Sequence, residues 1–242
     1  KIIFFSTPQN ISDLNILKKL NVPAIKVGSD DFTNVGLIKN YLKHKIPLIL
    51  STGMSTKDDI KRVLNIKGIS KKKVIFLLCT SEYPTNHESV NINKFNNLKK
   101  ILKNYSIGFS DHTKDDIASI MAVTHGCCFF EKHFTLNNNL KGPDHWFSMN
   151  PNQLKNWVKS INNAYKCLGS NKLIPTKKEK INKATFQRKI VAKNNIKKGK
   201  IILDTDIIML RIDNKMALNA YDVKKIIGKK AKKYFKMGEA II

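Results

Sequence analysis

The chain has 242 residues, enough for one large domain or a large and a small one with an ordinary buried core, and it reads as two. No run approaches the roughly 18 uninterrupted apolar residues of a membrane span, and the start, Lys1 to Phe5, runs into Ser6, Thr7 and Pro8 rather than into a signal-peptide cleavage site, so a cytoplasmic protein with no membrane partner is expected. The net charge of +26 raises nucleic acid as a partner, but only three of the 44 basic residues are arginines (Arg62, Arg188, Arg211) and the lysines are scattered over every segment. Arginine is the better fork for phosphates and base edges, so the charge reads as a solvated surface and no nucleic-acid partner is expected.

Along the first two-thirds of the chain a short apolar run is followed, again and again, by an amphipathic stretch. The runs are IIFFS, AIKVGS, PLILST, VIFLLCT, SIGFSD and CCFFEKHF, which predicts six βα units. Helix signals lie between and after them: Ser12 and Asp13 in ISDLNILKKL, Ser55 to Asp58, and Pro151 opening PNQLKNWVKSINNAY. Strands alternating with helices predict a parallel sheet, and runs this apolar predict strands buried on both faces. Such units suit an open doubly wound sheet or a (β/α) barrel, although a closed barrel needs eight.

The strand ends favour the barrel. Each run finishes in polar residues: Ser6 and Thr7, Lys26 and Ser29, Ser51 and Thr52, Thr80 and Ser81, Ser110 to His112, Glu131 to His133. In a barrel these stations converge on one mouth, where barrel enzymes place their chemistry. A single Ser, Thr or Asp there serves equally as a helix cap, but lysine, glutamate and two histidines do not cap helices.

After the helix that ends near Cys167 comes a polar, lysine-rich connector, GSNKLIPTKKEKINKATFQ, without strong periodicity. Beyond it the runs KIVA, KIILD and IIMLR, with turn signals at Asn194, Asn195 and Gly199, predict a small β-rich module. The expected organisation is therefore a barrel domain over 1–169, a linker over 170–186 and a β-rich domain over 187–242. Four cysteines without CxxC spacing (Cys79, Cys127, Cys128, Cys167) suggest neither a zinc site nor a disulfide framework, and buried free thiols are expected.

Three groups of residues carry chemistry. His112 and His133, at the ends of consecutive strands, stand where two imidazoles can share one ion, leaving its other positions open for a Lewis acid's substrate; a structural role for either histidine is the alternative. Lys26 with Thr7, Ser29, Ser51 and Ser110 sets a cation among hydroxyls, with Gly28 and Gly53 allowing close backbone approach, a set able to hold a phosphate and a carboxylate. Tyr83, with Asp144 and His145 on the KGPDHWFS loop, stands where two sugar hydroxyls could be held, or where the loop merely turns.

Taken in order, STP, KVGSDDFTN, ILSTGMS, CTSEYP, GFSDHT, EKHFTL and GPDHWFSMNPNQL resemble the N-acetylneuraminate (sialic acid) synthase family over essentially the whole chain. RKIVAKNNIKKGKIILDTDI and IIGKKA resemble that family's C-terminal antifreeze-like domain. The resemblance implies a (β/α)8 TIM-type barrel followed by a β-rich antifreeze-like (SAF, β-clip) domain, a domain-swapped homodimer, and condensation of phosphoenolpyruvate with N-acetylmannosamine or a related N-acylated amino sugar. It implies that His112 and His133 bind Mn2+ or Mg2+, that Thr7, Lys26, Ser29, Ser51, Ser81 and Ser110 hold phosphoenolpyruvate, and that Tyr83, Asp144 and Arg211 face the sugar.

On this likeness, catalysis involves His112, His133, Lys26 and Glu131, with Glu131 positioning or activating water and Lys26 neutralising phosphate. A legionaminic or pseudaminic acid synthase, or a partner that retains metal or sugar without turnover, is the alternative. Two departures stand out. The family's Arg-Pro-Gly is here Arg211, Ile212, Asp213, and the family's first two βα units, which supply a glutamate, a lysine and a glutamine, have no counterpart. The chain is therefore expected to be a fragment, inactive until those units are supplied.

Overall fold

The apolar runs form a parallel sheet in a computed structural model that describes residues 2–69 and 73–242. Its strands are β1 (Ile25–Val27), β2 (Leu48–Ser51), β3 (Val74–Cys79), β4 (Ser106–Asp111) and β5 (Phe130–Lys132), hydrogen-bonded in that order. Helix α1 (Ile11–Lys19) precedes β1. α2 (Val35–Leu42), α3 (Lys57–Leu64), the pair α4 (His87–Val90) and α5 (Lys94–Ile101), and α6 (Ile117–Thr124) connect successive strands, and α7 (Pro151–Leu168) follows β5.

Local chemistry sets the helix starts. Thr56 and Asp59 form a reciprocal capping box on α3, and Asn150 and Gln153 form another on α7, whose first residue is Pro151. On α1 the cap is Asn10, whose side chain accepts from the Asp13 amide, rather than Ser12.

Six strands are expected and, among the described residues, five form this sheet. The run IIFFS contributes only the single bridge Ser6–Ile25. Ile2, Ile3 and Phe4 are 94%, 74% and 62% exposed, so no packing fixes the segment as a strand; Lys1 lies outside the described residues. The thiols differ too: Cys79 and Cys127 are buried, whereas Cys128 and Cys167 are exposed.

Strand order decides between the two parallel architectures. A doubly wound sheet reverses its strand order and carries helices on both faces. Here the order never reverses, and connections of a single hand then place every helix on one side. Accordingly Leu48, Leu50, Phe76, Leu78, Ile107 and Phe109 share one core with Leu14, Ile38, Ile60, Phe95 and Ala118 of the helices. The alternate strand residues Lys26, Ser51, Cys79, Ser110 and Glu131 line a cavity on the opposite face. This unit, Lys1–Gly169, is a partial (β/α) barrel.

The second unit spans Ser170–Ile242. It opens with α8 (Lys177–Phe186), which buries none of its residues, and continues into the antiparallel pair β6 (Lys189–Ala192) and β7 (Ile207–Leu210). KIILD does not form a strand; Ile201 makes one bridge to Lys230, and Asp204–Asp206 is a turn of 3-10 helix. Single bridges Val191–Ala240 and Ile196–Phe235 close the module around Ile190, Ile196, Ile202 and Phe235. Among the described residues no helix is long and apolar enough to cross a membrane.

Candidate active site

The cavity at the C-terminal ends of the strands has a volume of about 440 Å3 and is lined by Lys26, Ser29, Ser51, Ser81, Tyr83, Ser110, His112, Glu131 and His133, with Gly28, Asp30, Met54 and Cys79. Nine of the sequence-predicted site residues thus meet in one place. Thr7 is not among the lining residues. Arg211 belongs to the second unit, where its guanidinium lies 5.5 Å from the Phe186 ring centroid.

One wall is a charged chain of hydrogen bonds. Lys26, a residue 8% exposed, donates from its ammonium to Ser51 Oγ at 2.7 Å and to the Val27 carbonyl at 3.0 Å. It also lies 3.6 Å from Glu131 Oε2. Ser110 Oγ donates to Glu131 Oε1 at 2.6 Å. Ser29 Oγ accepts from the Gly53 amide at 3.0 Å, and a Cβ at position 53 would stand 2.3 Å from Ser81 Oγ and 2.6 Å from Ser29 Oγ. Glycine is therefore needed there to let three strand ends close together. Ser81 Oγ is buried without a hydrogen-bond partner, an orphan of the kind a bound polar group satisfies.

The other wall is aromatic. The rings of His112 and His133 have centroids 5.1 Å apart at 79°. Tyr83 packs on His112 with ring centroids 4.3 Å apart and planes tilted by 35°, and Phe147 packs on His133 at 5.1 Å. His112 Nδ1 donates to the Thr80 carbonyl at 2.7 Å, which fixes the tautomer and leaves the Nε2 lone pair for another partner. The nearest hydroxyl, Ser110 Oγ at 3.4 Å, gives its proton to Glu131. Burial lowers the affinity of His112 for a proton, against the opposing pull of the Thr80 carbonyl and Glu131. Burial and then His112 do the same to His133, whose Nδ1 lies 3.6 Å from Asp144 Oδ2. Burial also raises the Tyr83 phenol and the Cys79 thiol above their ordinary values.

Among the described residues no group of three or more His, Cys, Asp or Glu side chains gathers as a metal cage. Two adjacent neutral imidazoles, one with its tautomer locked by a backbone carbonyl, nevertheless fit a divalent ion that keeps most of its positions for water and substrate oxygens.

Of the lining residues, Asp30, Met54 and Cys79 were not singled out from the sequence. Cys79 was open to detection by alternation, since it precedes Ser81 by two. Asp30 and Met54 sit on loops, where no period applies.

A lysine, a carboxylate, hydroxyls and two imidazoles at the strand ends of a partial (β/α) barrel form the frame in which barrel enzymes hold their chemistry. The chain belongs to the NeuB family, which it matches over residues 1–173, and residues 187–241 match the SAF domain. It is 41% identical over 202 residues to an uncharacterized protein of Methanocaldococcus jannaschii, covering 83% of this chain and 60% of that one. It is 34% identical over 243 residues to an N,N'-diacetyllegionaminic acid synthase of Campylobacter jejuni, covering 99% of this chain and 72% of that one. The crystal structure of an N-acetylneuraminic acid (sialic acid) synthetase from Leptospira borgpetersenii, in complex with citrate, superposes with a TM-score of 0.69 at 32% identity, covering 75% of this chain and 63% of that one.

Proposed function

We propose that this chain carries the reaction site of a synthase that condenses phosphoenolpyruvate with an open-chain N-acylated amino sugar. C3 of phosphoenolpyruvate bonds to the sugar's aldehyde carbon, water adds at C2, and the adduct expels inorganic phosphate to leave a nine-carbon 2-keto acid. The observation that carries this reading is the cavity itself, where Lys26, Ser51, Ser110 and Glu131 are linked on one side and His112 and His133 stand together on the other.

Lys26 and the hydroxyls of Ser29, Ser51 and Ser81 offer the charge and donors that a phosphate and a carboxylate need. Glu131, held by Ser110, is placed to orient the attacking water and take its proton. Tyr83 and Asp144 flank His133 on the side given to the sugar. His112 and His133 would hold Mn2+ or Mg2+; when bound, such an ion supplies Lewis-acid polarisation of the aldehyde oxygen. Family membership and the named synthases among the relatives support the reaction class. The sugar is of sialic, legionaminic or pseudaminic type, and a panel of N-acylated amino sugars separates them.

The test is phosphate release from phosphoenolpyruvate with N-acetylmannosamine and other N-acylated amino sugars, in Mn2+ or Mg2+. It is run on the chain alone and on the chain supplemented with the leading βα units of a family member. Sugar-dependent release in either arrangement supports the proposal. Its absence from both, across the sugar panel, overturns it.

A further inference from the structure

Asp111 and Lys132 take no part in the cavity, yet they are the register partners that end the β4–β5 ladder. Their side chains are 0% and 3% exposed and meet at 3.1 Å. Thr113 donates to Asp111 Oδ1 from both its amide and its hydroxyl at 2.8 Å. Ser119 Oγ of α6 donates to Oδ2 at 2.5 Å, and Trp157 Nε1 of α7 donates to that Ser119 oxygen at 3.0 Å. Lys132 donates to the Thr113 carbonyl.

The two strand ends carry matched triplets, Ser110-Asp111-His112 and Glu131-Lys132-His133. Because side chains alternate along a strand, the outer members of each triplet face the cavity and the middle members face the helices. Ladder pairing stops at Asp111–Lys132, and β5 is only three residues long. Beyond that pair the His133 carbonyl accepts from the Met149 amide and Phe134 bridges Met149, contacts that do not set the register of β5 against β4. A slip of one residue would turn the whole triplet to the wrong face. A buried ion pair is weak evidence for stability, since desolvation offsets much of its attraction, and its best-attested use is to specify register.

We propose that Asp111 and Lys132 are a positioning pair that sets the register of β4 against β5 from behind the sheet and so holds the His112 and His133 imidazoles together at 5.1 Å. This rests on the reading of those histidines as ligands of a shared divalent ion.

The test compares the whole chain with a variant carrying Asp111→Leu and Lys132→Met, an apolar pair of similar bulk. Thermal melting reports the fold, ring-to-ring nuclear Overhauser contacts between His112 and His133 in metal-free protein report their juxtaposition, and titration with Mn2+ reports affinity. A lower melting temperature is expected, because the Thr113 amide and the Thr113 and Ser119 hydroxyls lose their acceptor, together with a weakened ring contact and Mn2+ affinity lower by roughly 10–100-fold in the folded protein. Asp111→Asn keeps shape and removes charge; it is expected to show an intermediate loss and decides the matter if the double variant does not fold. Ring contact and Mn2+ affinity both unchanged within about twofold in a folded variant overturn the proposal. If the parent binds no Mn2+, the ligand reading fails, while the ring contact still decides whether the pair positions the histidines.

Discussion

Lys26 and Glu131 stand on opposite edges of the five-stranded sheet, yet the lysine Nζ lies 3.6 Å from the glutamate Oε2. At the usual strand spacing the edges of a flat sheet of this width are about 19 Å apart, beyond the combined reach of the two side chains. The sheet must therefore curl toward its cavity face. That curvature brings a cation from β1 and a carboxylate from β5 together above Ser51 and Ser110.

Replacing Lys26 by Met removes the charge that the anionic substrate would meet and leaves the backbone of β1 in place. Hydrogen bonds to charged groups contribute about 1.5–3 kcal/mol each, so phosphoenolpyruvate and inorganic phosphate are expected to bind roughly 10–100-fold more weakly. Calorimetric titration of both ligands measures this. Equal affinity in the variant would remove Lys26 from the anion site.

In the chain supplemented with the leading βα units, His112→Ala and His133→Ala are each expected to abolish Mn2+ binding and metal-dependent phosphate release, because one imidazole does not hold the ion against water. Circular dichroism should show both variants folded, since both side chains face the cavity rather than the helix core. Undiminished turnover in both would refute the metal assignment.

The pH dependence follows from the same two rings. Burial holds His112 and His133 below the ordinary imidazole value, about 6.5 in an unfolded chain. Between the lowered folded values and about 6.5 the unfolded chain binds more protons than the folded one, so stability falls as pH drops through that window and is level above it. Urea midpoints at about pH 7.5 and 5.5 should show the loss, and the decrement should shrink in the His112→Ala, His133→Ala double variant. Greater stability of the parent at the lower pH would contradict the sign.

What was legible in the sequence was the alternation. Apolar runs that end in Lys26, Ser51, Ser110, Glu131 and the two histidines place those residues on one face and at one end of a parallel sheet, whatever the details of the loops. IIFFS has the same composition as the other runs, but a strand needs neighbours to bury it, and Ile2 to Phe4 stay exposed. Asp111 and Lys132 read with their neighbours as polar strand ends at the mouth, but they do not line the cavity, and residue type says nothing of the Ser119 and Trp157 contacts that bury them. Their opposite signs at matched positions in two triplets were the available clue. Met54, at φ 60°, reached the cavity through a loop conformation that its residue type does not announce.

Glu131 is the group on which the proposed water step depends, and Glu131→Gln is the substitution that isolates its proton chemistry. The amide side chain would keep the length of the original and an oxygen to accept from Ser110, so the 2.6 Å contact and the shape of the cavity are retained. It would lose the ability to take a proton and would turn an amide nitrogen toward the Lys26 ammonium, now 3.6 Å from a carboxylate oxygen. General-base contributions run to about 10^2–10^4-fold in rate. In the chain supplemented with the leading βα units, the expected result for Glu131→Gln is a fall of that order in kcat, with the KM for phosphoenolpyruvate changed by less than about threefold, because Lys26, Ser29 and Ser51, the proposed anion ligands, are untouched. Steady-state phosphate release measures both parameters. An unchanged kcat with a raised KM would mean that Glu131 only helps to hold substrate, and the water would then need another base.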